Sequence, residues 1–90
     1  MASKKDYFII ATFRRNRIDC AIDLGGRHVF NSEIESIIKE GINAHFKPSY
    51  DEPATVESIQ IEKYTEFRQY RDRRMELESS RRCLIIDCPE

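Results

Sequence analysis

Ile18-Asp19-Cys20-Ala21-Ile22-Asp23-Leu24-Gly25-Gly26 decides the fold class of this chain. Ile18, Cys20, Ile22 and Leu24 alternate with Asp19, Ala21 and Asp23. That period of two predicts a β-strand with one buried and one wet face. Gly25-Gly26 supplies the positive φ that a tight hairpin turn requires. Arg27-His28-Val29-Phe30 then reads as a short third strand.

Upstream, residues 6–14 predict the first strand. Tyr7, Ile9, Ala11 and Phe13 share one face, and Phe8, Ile10 and Thr12 the other. Apolar residues on both faces point to an interior strand. Arg14-Arg15-Asn16-Arg17 makes the connecting turn, with Asn16 suited to a left-handed backbone. The opening third is expected to be an antiparallel meander.

Downstream, Ser32 and Glu35 have the spacing of a capping box, which opens a helix. Ile34, Ile37, Ile38 and Ile42 line one side of it. Gly41 either ends this helix or lies inside it; we favour the longer helix, reaching about Phe46. Residues 47–54 contain Pro48 and Pro53 and read as a loop. Residues 56–64 predict a strand through Ile59 and Ile61. Thr65 is placed to cap a second helix reaching about Ser80. Its apolar stripe of Phe67, Tyr70 and Leu77 is thin, and ion pairs are expected at Arg68–Asp72 and Glu78–Arg82. Cys83-Leu84-Ile85-Ile86-Asp87-Cys88 reads as a buried last strand joined by a parallel crossover. The expected architecture is α+β: one small domain over residues 1–90, ordered βββαβαβ, with a mixed sheet and one or two helices packed on a face. The first and last strands are the expected edges, open to a partner strand or a second copy of the chain.

Composition narrows the function classes. Hydrophobic residues make up 40% and charged residues 34% of 90 residues, a mixture that folds. No stretch approaches the roughly 20 apolar residues that span a bilayer, so no membrane role is expected. The three cysteines, Cys20, Cys83 and Cys88, are odd in number and follow no signal sequence. They predict reduced thiols and a cytoplasmic location.

The net charge of −1 is unevenly spread. Residues 1–31 hold six basic and three acidic groups, residues 32–66 three and eight, and residues 67–82 six and three. Such segregation favours recognition of a local patch over coating of a uniform polyanion.

Motifs for chemistry are weak. Cys83 and Cys88 are too far apart for a zinc-binding pair, and no second pair exists, so no metal or other cofactor is expected. Cys20 or Cys88 with His28 or His45 would be needed for thiol catalysis, but Cys20 lies on an apolar strand face. Asp19 and Asp23 are about 13 Å apart along one wet face, too far for paired acid–base work. Asp87 ends a strand, where parallel sheets place functional groups, yet it more simply faces water. Gly25-Gly26 leads into Arg27 and lacks the spacing of a phosphate-binding loop.

The arginines carry the most weight. Arg14, Arg15 and Arg17 crown the first turn; Arg68, Arg71 and Arg74 lie on the second helix with Tyr70 among them. Arginine beside aromatic residues marks protein interfaces and also nucleic-acid surfaces. These seven are the expected binding residues. The chain is therefore read as a small non-catalytic binding protein: an inhibitor, adaptor or regulator of a larger intracellular protein, in the manner of phage accessory proteins. Nucleic-acid binding through the arginines is the alternative, and a small thiol- or carboxylate-dependent enzyme the third reading. A homodimer is compatible with all three.

Overall fold

The computed structural model describes residues 3–46 and 56–87. Two strands open the chain, β1 (Lys5–Arg15) and β2 (Ile18–Val29). Helix α1 (Ile34–His45) follows, then β3 (Val56–Tyr64), helix α2 (Phe67–Ser79) and β4 (Cys83–Asp87). The four strands form one sheet in the order β3-β1-β2-β4. β1 runs antiparallel to β2 and β3, and β2 runs parallel to β4. The fold is a mixed-sheet α+β domain.

β1 is central, as its two apolar faces require. Ile9, Ala11 and Phe13 point to one side, where Cys20, Ile22 and Leu24 of β2 and Ile34, Ile38 and Ile42 of α1 complete the main core. Ile10 and Ala21 point to the other, where they meet Leu77 of α2. The helices thus cover opposite faces. The α2 side is the weaker layer, with Leu77 the only buried residue of the helix.

Two expectations about the opening third are corrected. Gly25-Gly26 is not a hairpin turn, and Arg27-His28-Val29-Phe30 is not a separate strand. β2 continues through both glycines, paired to β1 as far as Lys5 opposite Val29. Ile9 faces Gly25 while Ile10 faces Asp23, so Leu24 is the extra residue of a β-bulge. Gly25 adopts a φ of +68° there. A bulge needs the same backbone freedom as a turn but leaves the chain direction unchanged. The order is therefore ββαβαβ, and the meander is a single long hairpin. Asn16 and Arg17, with φ of 51° and 67°, form its turn; positive φ at both central residues matches the right-handed twist of the flanking strands.

The ends of the elements also differ from expectation. A turn of 3-10 helix over Asn31–Glu33 leads into α1, and neither Ser32 nor Thr65 makes a capping hydrogen bond. α1 is the longer form, with Gly41 buried inside it. β1 is not an edge; β3 and β4 are. The two edge strands are parallel to each other but separated by β1 and β2, so α2 carries the chain across the whole sheet. The expected loop over residues 47–54 lies outside the described residues.

Candidate functional site

Asp23 sits beside the bulge on the α2 face and is only 7% exposed. A buried carboxylate needs donors, and it has three partners. The Gly25 amide donates to Oδ1 at 2.8 Å. The Tyr70 hydroxyl lies 2.7 and 2.6 Å from the two oxygens. The Arg74 guanidinium donates to Oδ2 at 2.5 Å. The same Nη1 of Arg74 reaches Asp87 at 2.7 Å, and its Nε reaches Glu78 at 2.7 Å. Asp87 faces Asp23 across the parallel β2–β4 pair. Arg74 therefore clamps two neighbouring strands to α2.

This network changes the standing of two expected anchors. Tyr70 and Arg74 point inward and are occupied; Tyr70 is also stacked on Phe8 with ring centroids 5.0 Å apart. Burial, then the Asp23 hydrogen bond, push the Tyr70 phenol well above its ordinary range. The hydrogen bond from Arg74 holds Asp87 below the ordinary carboxylate range, although the Asp87 side chain is 75% exposed. Asp19 and Asp23 share a face, but α2 covers the part that holds Asp23, so that face is not uniformly wet. Nearby, Arg73 donates to both oxygens of Glu62 at 2.8 and 3.2 Å, and Tyr64 donates to Glu62 as well. Burial and that bond push Tyr64 up to about 12.

The remaining arginines separate into tethered and free. Arg14 bonds Asp19 at 3.2 Å. Arg15 lies over the Phe46 ring at 4.1 Å, on the α1 side. Arg71 approaches Asp72 at 3.8 Å. The expected pairs Arg68–Asp72 and Glu78–Arg82 do not form, because Arg71 and Arg74 take those acids. Arg17, Arg68, Arg81 and Arg82 make no ion pair among the described residues.

On α2 the side turned away from Tyr70 and Leu77 carries Arg68, Arg71 and Met75, while Phe67 packs edge-on against Phe8 beside Tyr70, with ring centroids 5.5 and 6.0 Å away. Phe67 is 57% and Met75 56% exposed. The sequence places Phe67 in the apolar stripe with Tyr70 and Leu77 and Met75 off that line, and the ring contacts of Phe67 and the exposure of Met75 agree. Measuring helical angles from Tyr70 and Leu77 puts Met75 on the outward side and Phe67 at the margin of the packed one.

The thiols show no catalytic arrangement. Cys20 is buried on the α1 face and Cys83 lies on the α2 face. Burial pushes both pKa values up, so both stay protonated at neutral pH. Cys88 is outside the described residues. His28 Nδ1 lies 2.8 Å from Asp6, and His45 packs edge-on against Phe46. Among the described residues no cluster of three histidine, cysteine or acidic side chains is placed to hold a metal ion. None of their helices is long and apolar enough to cross a membrane. No protein-family model, curated protein or solved structure matches the chain.

Proposed function

We propose that this chain is a small binding protein that acts without catalysis on a larger intracellular protein, in the reducing cytoplasm, as an inhibitor, adaptor or regulator. The outward face of α2 carries the reading. Met75 is more than half exposed there, beside Arg68, which lacks an ion-pair partner among the described residues, and Arg71, which is loosely tethered; Phe67, packed edge-on against Phe8, leaves its open edge at the margin of that face. Aromatic residues, methionine and arginine are the types enriched at protein interfaces, while lysine and glutamate are depleted. Leu77, Tyr70, Arg73 and Arg74 hold α2 from one side, which leaves the other side of the helix for a partner. Of the residues expected to bind, Arg68 and Arg71 stay in this role, and Arg17 at the hairpin turn is free to extend it.

The test is capture of a partner from host lysate at roughly 0.15 M salt, with nuclease, using wild type and an Arg68→Glu, Met75→Glu double variant. Both positions are exposed, so the variant keeps its fold. A stoichiometric protein retained by wild type and lost by the variant is the expected result. Equal retention by both removes the α2 face from the account.

Nucleic-acid binding is the second reading, supported by Arg17, Arg81 and Arg82 near one end of the sheet, which make no ion pair among the described residues. The acidic middle segment and net charge of −1 weigh against it. Its signature is capture that disappears with nuclease and falls steeply with salt.

A further inference from the structure

We infer that a basic groove at the hairpin end of the sheet binds an acidic segment of a protein partner, an inference that rests on the binding-protein reading and names a second contact for it. α2 covers Ile10 and Ala21 but stops at Ser79, short of the hairpin turn. The uncovered end of that sheet face is a groove of about 530 Å³ floored by Leu77. Arg14, Arg73 and Arg82 line it from β1, α2 and the turn before β4, together with Thr12, Ser58 and Gln60. Asp19 is its only acidic lining residue among the described residues.

The three guanidiniums are held to different degrees. Glu62 and Glu76 orient Arg73, and Asp19 orients Arg14, so both are fixed in direction. Arg82 has no ion pair among the described residues and is free to close on a ligand. Its neighbour Arg81 has a φ of 55° and Ser58 one of 58°. Left-handed backbone at residues other than glycine costs about 1 kcal/mol or more, and such strain gathers at binding sites. Here it turns Arg82 out of the helical register and bends β3 beside the groove.

The lining chooses among anions. Guanidiniums with hydroxyl and amide neighbours suit carboxylates, bound two-pronged. Single-stranded nucleic acid is held by basic grooves that also offer aromatic rings for base stacking. The one ring lining this groove, Phe13, is buried toward the α1 side and presents no open face. Asp19 offsets Arg14, and Glu62 and Glu76 together outweigh Arg73, so the local charges balance and the positive field in the groove is that of Arg82, which has no ion pair among the described residues. That field matches a few carboxylates better than a continuous phosphate backbone.

The test is titration of the isotope-labelled protein with a short glutamate-rich peptide and, separately, with oligothymidylate, at low salt. Saturable amide shifts at Thr12, Ser58, Gln60 and Cys83 are expected with the peptide. Arg82→Glu weakens that binding about tenfold, while Lys39→Glu, an equal charge reversal on exposed α1 across the sheet, leaves it within about twofold. Arg82→Gln gives an intermediate loss, and unchanged core amides verify the fold of each variant. Absence of groove shifts, or equal affinity after Arg82→Glu, overturns the assignment. Tighter groove binding of oligothymidylate overturns it in favour of nucleic acid. The lysate capture with the α2 variant does not involve these residues, so each reading fails separately.

Discussion

Arg74 shows how little a residue's identity reveals of its role. In the sequence it is one of six arginines between residues 67 and 82. In the fold it joins Asp23, Glu78 and Asp87, while Arg68 and Arg82 join none among the described residues. The deciding contact, Arg74 to Asp23, spans 51 positions of chain, so no local pattern announces it. Asp23 itself reads as a solvated strand residue until α2 covers it. Substitution separates structure from binding here. Tyr70→Phe removes one donor from a buried carboxylate and costs about 1–2 kcal/mol. Arg74→Met leaves Asp23 without its counter-charge and costs about 3 kcal/mol. Urea denaturation measures both. Partner capture is expected to survive in the folded variants, since neither side chain faces outward; its loss without loss of stability would return them to the interface.

The two helices are tied down unequally. α1 buries Ile34, Ile38 and Ile42 against the β1–β2 hairpin, and its periodicity was readable because every one of these contacts points the same way. α2 buries Leu77 and half-buries Tyr70, with polar clamps doing the rest. Leu77→Ala is expected to cost about 2–3 kcal/mol and to loosen α2 before the hairpin. Hydrogen exchange reads this directly: α2 amides lose protection while those of β1 keep theirs. Uniform loss across both would show that α2 and the sheet open as one unit. The β2 bulge is the element sequence reading mistook. Paired glycines license a turn or a bulge equally, and only pairing with Lys5 through Ile9 decides between them. Helix starts were misread for a related reason: Ser32 and Thr65 have capping chemistry, but the chain enters each helix on a path that leaves their hydroxyls unused.

For the whole molecule, pH reports on the layer that α2 closes. Tyr64 and Tyr70 both donate to buried or half-buried carboxylates, and ionising either would set negative charge against negative charge. In the unfolded chain tyrosine ionises near pH 10; folded Tyr64 ionises at about 12 and Tyr70 is raised in the same sense. A raised folded pKa gives stability that is complete below the unfolded value and is lost as pH climbs through it toward the folded one. Stability is therefore expected to fall from about pH 10 upward, and the Tyr64→Phe, Tyr70→Phe double variant to flatten that limb in a thermal melt series. An unaltered limb would place the alkaline sensitivity elsewhere. Asp87 works at the other end: its lowered pKa gives stability above about pH 4 that is lost on acidification, a small effect at its exposure. The sequence by itself determined the mixed α+β class and the approximate places of β1, both helices, β3 and β4, because burial of alternating or helical stripes is written in local order. Only the tertiary structure decided which strands form the edges, that the helices take opposite faces, and which arginines are spent on internal carboxylates. Those outcomes depend on contacts between residues far apart in the chain, where partner choice is a competition among many like charges that no spacing rule resolves.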